Sequence, residues 1–293
     1  MVFDGCARLT PPPFEVPTTD SRRPLASYRH YRPGKKRKAE DGLPSTPISH
    51  VPTADPIRLP PPFTLVRLRE SGDAFAHACR IAPESGAGAL VYVGRFDLAE
   101  FAVVLEPAEP LRGARRAFYA GMVALTNALR AYAPPSKPIT ISWPDAVRID
   151  GGLVGGGRLG WPRDADEDAP PPWLVFGAMI RTVAMNEDEP GVHPLASALD
   201  QEGFGEAGAQ LVTESFARHL MLAFDGWQAD GFDDLAREYL SRMPRERQFV
   251  RRIDDRGDVL SRRVGTDTVE RGDLVQALAT PSWFDPSLGG PRL

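Results

Sequence analysis

Six of the ten residues at 151–160 are glycine, and the stretch follows two β-type runs, Ile139-Thr140-Ile141-Ser142 and Ala146-Val147-Arg148-Ile149. Glycine weakens a strand, because it brings no side chain to pack and loses the most backbone freedom on ordering. A strand that still carries Gly155-Gly156-Gly157 is one that something approaches closely. That neighbour is either a packed element of the same fold or a ligand lying on bare backbone, and the residues leave both open. The next apolar run, Trp173-Leu174-Val175-Phe176-Gly177-Ala178-Met179-Ile180, reads as a buried strand beside it.

Proline marks the other boundary. Residues 1–63 hold 13 of the 30 prolines in the 293-residue chain. Each removes a backbone donor and biases its predecessor towards extended conformations, so residues 1–62 read as a flexible extension. Residues 1–60 also carry ten Lys/Arg against six Asp/Glu, in a chain whose net charge is −4. The basic run Lys35-Lys36-Arg37-Lys38 is short and isolated and reads as solvated, so nucleic acid is not an expected partner.

From Phe63 onward the pattern is that of a packed α+β domain. Residues 63–68 read as a strand and 73–81 as a helix capped by Asp73. Residues 89–93 and 101–105 read as a hairpin across Gly94-Arg95-Phe96-Asp97. Helices are expected at 114–132, 195–199, 209–227 and 232–243. After Pro244 a hairpin at 249–264 marks a small β appendage. The expected division is an extension at 1–62, a domain at 63–246 and a small β domain at 247–293.

Composition excludes several classes. Cys6 and Cys79 match no zinc spacing and form no disulfide framework, which suits a reducing cytoplasm. No run approaches the ~18 consecutive apolar residues of a membrane span, and the first residues hold no signal-type apolar core. A cytoplasmic setting without membrane partners is the expectation. No two of the five histidines, His30, His50, His77, His193 and His219, stand at i, i+4, so a metal site is not expected. The acidic run Asp164-Ala165-Asp166-Glu167-Asp168 reads as a solvated loop.

The segment Trp143-Pro144-Asp145-Ala146-Val147-Arg148-Ile149-Asp150-Gly151-Gly152-Leu153-Val154-Gly155-Gly156-Gly157 resembles the catalytic domain of biotin/lipoate protein ligases, whose signature is a Trp-Pro turn, a strand, Asp-Gly and a glycine strand. Glu70-Ser71-Gly72-Asp73-Ala74 is similar to the family's early helix start, and Pro194 to Leu199 to its Ala-Thr-Ser-Leu helix. Ile253 to Leu260 and Val269 to Leu274 resemble the small β domain that follows in many biotin ligases. The likeness covers about residues 63–275. It implies a class II synthetase-like mixed sheet with helices, followed by the small β domain. It also implies ATP and Mg as cofactors, biotin or lipoate as ligand, and a carrier protein, a biotin carboxyl carrier or lipoyl domain, as partner.

The implied reaction joins a carboxylate to ATP as an acyl-adenylate and passes the acyl group to a carrier lysine. Both partners of the first step are anions, so the site must supply positive charge and backbone donors. The glycines at 155–157 with Trp143 and Pro144 are the residues the resemblance assigns to the ligand, with Arg95 in the nucleotide link. Asp145 keeps a carboxylate in the turn, and Arg158 is the cation nearest the glycines; these two are the candidate catalytic residues. The chain departs from the family in three places. The link at 94–100 has one cation and two acids, and the two family lysines are replaced by Ser142 and Leu153. Cys79, the only counterpart to the thiol of the octanoyl-transferase branch, reads as a small buried residue. Two functions stay open: a ligase, and a non-catalytic module that binds an acyl ligand or a carrier protein.

Overall fold

The computed structural model describes residues 56–185, 195–205 and 207–293. The expected extension as far as residue 55, with Cys6, His30, His50 and the basic run at 35–38, lies outside the described residues, as do His193 and Pro194. The packed unit starts at Ile57, earlier than the expected Phe63. Ile57 and Leu59 pack against the core, and the Arg58 amide donates to Glu214 Oε1 at 2.9 Å. Two apolar side chains and one satisfied donor anchor a stretch that its proline content alone assigns to loop.

Seven strands form one sheet: β1 Thr64–Leu68, β2 Ala89–Val93, β3 Leu98–Leu105, β4 Ile139–Ser142, β5 Ala146–Ile149, β6 Gly152–Gly160 and β7 Leu174–Arg181. Their order is β1-β2-β3-β7-β6-β5-β4, parallel between β1 and β2 and antiparallel elsewhere. The central strands β3 and β7 are covered on both faces, which is why they are almost continuously apolar rather than alternating. Glu100 in β3 is the exception.

Helices cover the sheet unequally. On one face lie α3 Ala117–Arg130 and α4 Ala209–Asp230, preceded by the short α2 Leu111–Ala114 and followed by α5 Phe232–Arg242. Phe216 of α4 stacks on Phe176 of β7 with centroids 5.6 Å apart and tilts against Phe101 of β3 at 4.5 Å. On the other face α1, Ala74–Ser85, packs Phe75, Ala78 and Cys79 onto Val91, Ala102, Val104 and Val175. Asp73 caps α1 by accepting from the Ala76 amide at 2.9 Å. α1 covers Val175 and Gly177 of β7 and Gly160 of β6 on this second face, whereas Met179 of β7 and Ala146 of β5 lie under Trp283 instead.

The expected helix at 195–199 is replaced by extended chain. The Leu153 amide donates to the Leu195 carbonyl at 2.7 Å, and the Ser197 amide donates to the Leu153 carbonyl at 2.9 Å. Ala196 bridges Leu153 in parallel. Helix propensity is a weak preference, and backbone pairing with the start of β6 outweighs it here.

The C-terminal part has a three-stranded antiparallel sheet of β8 Phe249–Ile253, β9 Val259–Arg263 and β10 Val269–Gly272, in the order β10-β9-β8. The helix α6 Leu274–Leu278 follows, then two short paired strands, β11 Phe284–Asp285 and β12 Gly290–Pro291. The C-terminal part docks through Ile253 and Val259 of the small sheet and Leu274 of α6, which belong to the main core. The Tyr119 hydroxyl donates to the Gly257 carbonyl at 2.5 Å across the same seam.

At Gly121, α3 comes so near β7 that a β-carbon would run into the Phe176 ring. Gly121→Ala adds about 1 kcal/mol of helix propensity, yet overpacking costs about 1–3 kcal/mol. The expected result is a net loss of stability, read as a lower urea midpoint. A raised midpoint would mean that α3 has room at this position.

Candidate functional site

The three glycines of β6 are bare for three separate reasons. Gly155 has φ +152°, and a β-carbon there would collide with the Met179 carbonyl oxygen of β7. A β-carbon on Gly156 would meet the Asp145 carbonyl oxygen and the indole of Trp283. On Gly157 it would meet Met122 Sδ and the Phe176 ring, on the helix-covered face. A register shift between β5 and β6 at Val147/Arg148 lets the Gly157 amide donate to the Asp145 carbonyl at 3.0 Å. Gly156 and Arg158 therefore face the α1 side of the sheet, Gly156 under Trp283 and Arg158 beside Phe75, whereas Gly157 faces the core under α3.

The side chain over Gly156 is Trp283, which is fully buried. Its Nε1–H donates to the Gly157 carbonyl at 3.0 Å, and its ring packs with Leu98, Ala146, Leu153 and Met179. The preceding residue is held by Asp145, whose carboxylate accepts from the Ser282 amide at 3.0 Å and the Ser282 hydroxyl at 2.6 Å. Burial pushes the Asp145 carboxyl up to about 6, against the pull of these hydrogen bonds. Asp145 is thus an internal anchor for the C-terminal segment.

Trp143 and Pro144 lie elsewhere. The Trp143 indole packs against Gly272 of β10 and donates weakly to the Tyr119 hydroxyl at 3.4 Å. The Pro144 carbonyl accepts from the Tyr239 hydroxyl at 2.6 Å. The Trp-Pro turn therefore ties the large sheet to α3, α5 and the small C-terminal sheet.

The charged residues gather where the start of α1, the start of β3 and β6 meet. Arg158 stacks its guanidinium on Phe75 at 4.4 Å and on Phe284 at 5.0 Å, and pairs with Asp73 at 3.3 Å. Arg95 forms a two-pronged pair with Asp97 at 2.7 and 3.1 Å. This pair holds the Arg95 guanidinium above its ordinary value and the Asp97 carboxyl below its own. Between them Glu100, 2% exposed, accepts from the Ala74 amide at 2.8 Å. Burial pushes the Glu100 carboxyl up to about 7; the amide bond and the charges of Arg158 and Arg95 only partly offset this.

These residues do not fit a magnesium-bound triphosphate. Arg95 and Arg158 are each neutralised by an aspartate. Ser142 accepts from Arg148 Nε at 3.1 Å and Leu153 is buried under Trp283, so neither residue at the lysine positions is itself a cation, although Arg148 stands beside Ser142. Among the described residues no group of three or more His, Cys, Asp or Glu is placed to hold a metal ion.

Trp283, Ser282 and Glu100 were not among the residues expected from the sequence. Only Glu100 left a signal there, as an acid inside the apolar run of β3. An acid whose folded pKa is raised contributes its full stability below the unfolded value and loses it as the pH climbs. For Glu100 that window runs from 4.5 to about 7. Glu100→Gln keeps an oxygen for the Ala74 amide, and should raise the unfolding free energy at pH 8 by on the order of 1–3 kcal/mol. Near pH 4.5 the two proteins should unfold alike in urea; an equal gain at both values would remove the titration as the cause.

Comparison with known proteins agrees with this architecture. The sequence model for the biotin/lipoate A/B protein ligase family matches residues 59–241. Among solved structures, a biotin protein ligase-like protein of unknown function from Silicibacter sp. TM1040 superposes with a TM-score of 0.66 at 28% identity, covering 77% of this chain and 100% of that one. The biotin protein ligase of Aquifex aeolicus superposes with a TM-score of 0.53 at 14% identity, covering 71% of this chain and 98% of that one. A structure of the Aquifex enzyme in complex with biotin and ATP gives the same score at 13% identity, covering 71% of this chain and 98% of that one. No curated protein sequence matches. The shared sheet and the family match over more than half of the chain lead to one conclusion: this chain belongs to the biotin/lipoate A/B protein ligase family.

Proposed function

We propose that this chain is a non-catalytic binding module of the biotin/lipoate ligase family, one that takes a biotin- or lipoate-type carboxylic acid or a carrier domain without adenylating the acid. The observation that supports this reading is the charge balance at the junction of α1, β3 and β6. Bringing a carboxylate and a triphosphate together requires an excess of positive charge where the new bond forms. Here Arg158 faces Asp73 and Arg95 faces Asp97, with buried Glu100 between them. One carboxylate of a small ligand could compete with Asp73 for Arg158 in their partly exposed ion pair. A polyphosphate would meet three acids. The working compartment in this reading is the cytoplasm, and the carrier domain is of the biotin carboxyl carrier or lipoyl type.

A second reading, the full ligase, is favoured by one feature: Arg158 stands on the same sheet face as Gly156, next to Asp73 at the start of α1. In that reading Arg158 would hold the acid, ATP and Mg would enter beside it, and the acyl group would pass to a carrier lysine.

Pyrophosphate release separates the two readings. With biotin, lipoate or octanoate and Mg-ATP, the expected rate equals that of the acid-free blank. Acid-dependent release would establish the ligase and overturn the module. Calorimetry with the same acids and a carrier domain should detect binding without ATP, and Arg158→Gln should weaken acid binding about tenfold, the loss of ~1.4 kcal/mol. If neither an acid nor a carrier domain binds, the module reading fails as well.

A further inference from the structure

The surface that the resemblance assigns to the acyl ligand is occupied by the chain's own C-terminal segment. We infer that residues 282–292 form a hinged intramolecular occupant of the Gly156 face, which a ligand must displace to reach Gly156 and Arg158. The inference rests on the ligand-binding reading given above for what enters, but not for what leaves.

Four observations carry it. First, the segment is closed on itself. β11 pairs with β12, the Gly289 amide donates to the Asp285 carbonyl at 2.9 Å, and the Arg292 amide donates to the Trp283 carbonyl at 2.7 Å. These bonds travel with the segment if it moves, so opening does not expose a row of unpaired backbone groups. Second, beyond the burial of Trp283 against Leu98, Ala146, Leu153 and Met179 and of Gly290 and Pro291, the polar and ring contacts of the segment with the rest of the described residues are local. They include Ser282 on Asp145, Trp283 Nε1 on the Gly157 carbonyl, Phe284 under Arg158, and Arg181, which donates to the Pro291 carbonyl at 2.9 Å and the Arg292 carbonyl at 3.2 Å.

Third, Trp283 imitates a ligand. It is a flat ring lying on a bare strand, with one N–H donating to a strand carbonyl. With the segment away, the face would present an apolar floor of Leu98, Leu153 and Met179, the Gly157 carbonyl as an acceptor, and the guanidiniums of Arg158 and Arg181 at the rim. That set suits a compact, largely apolar acid with an N–H donor on its ring. Fourth, Leu288 at the tip of the segment is more than half exposed, so the tip is not fixed by burial.

Native-state hydrogen exchange of the full chain tests the occupant without any ligand. The Ser282 amide, whose acceptor is the Asp145 carboxylate outside the segment, should exchange at least 100-fold faster than the Phe101 and Phe176 amides of β3 and β7, through an opening that leaves the sheet protected. Exchange at the same rate as the sheet would overturn the inference, because the segment would then leave only on global unfolding. Ligand access is tested with Trp283→Ala and, should that variant fold poorly, Ser282→Ala, which loosens the anchor but keeps the indole. Biotin, lipoate or octanoate should bind the variants at least tenfold more tightly than the parent chain. Faster exchange with no acid bound by either folded variant would leave the hinged occupant standing and remove the acyl-ligand reading. Weaker acid binding by both folded variants would overturn the inference, since Trp283 would then be part of the receptor.

Discussion

No side chain fits at residues 155–157, and the rest of the structure is organised around that bare stretch of β6. At Gly155 a carbonyl of β7 takes the space, at Gly156 the Asp145 carbonyl and the Trp283 ring take it, and at Gly157 Met122 and Phe176 do. Close approach from three directions lets β6 join the half of the sheet under α1 to the half built from β4 and β5. It also lets the Asp145 backbone and side chain serve opposite ends of the fold: the carbonyl accepts from Gly157 in the sheet, and the carboxylate accepts from Ser282 near the C-terminus. Glycine's usual weakness in strands is offset here by contacts that no larger residue would permit.

Charge around this strand is compensated within the protein. Near the second face Arg95 and Arg158 each have an acid against them and Arg181 has backbone carbonyls, while buried Glu100 accepts from a helix-end amide and buried Asp145 from Ser282. Guanidinium groups that stack on rings and pair with carboxylates hold a fixed geometry at low cost in side-chain freedom. The same arrangement keeps Arg95 and Arg158 in fixed pairs with Asp97 and Asp73.

Much of this was legible in the residues. The strands at 64–68, 89–93 and 174–181, the long helix beginning at Ala209 and the hairpin after Pro244 follow from periodicity and from proline and glycine punctuation. The close approach at β6 was legible too, but its cause was not. Trp283 is 126 residues away from the carbonyl it reaches, and Ser282 is 137 from Asp145. Residues 281–293 are rich in proline, glycine and serine and form strands of only two residues, too short to give a period. The segment at 195–199 failed for a different reason: its composition favours a helix, but the Leu153 backbone was available to pair with it. Trp143 and Pro144 match the family's motif by their letters, and in this fold their neighbours are Tyr119, Tyr239 and Gly272.

The seam at Trp143 bears on how this protein can be dissected. Its ring rests on Gly272, and Tyr119 reaches Gly257, so both aromatic groups are shielded by residues that follow α5. A fragment ending after Arg242 would bare the indole of Trp143 and the phenol of Tyr119, and would strip the cover from Gly156 as well. Such a fragment would carry sticky aromatic surface in place of a clean excision boundary, and poor solubility would be a property of the cut rather than of the ligase-like fold.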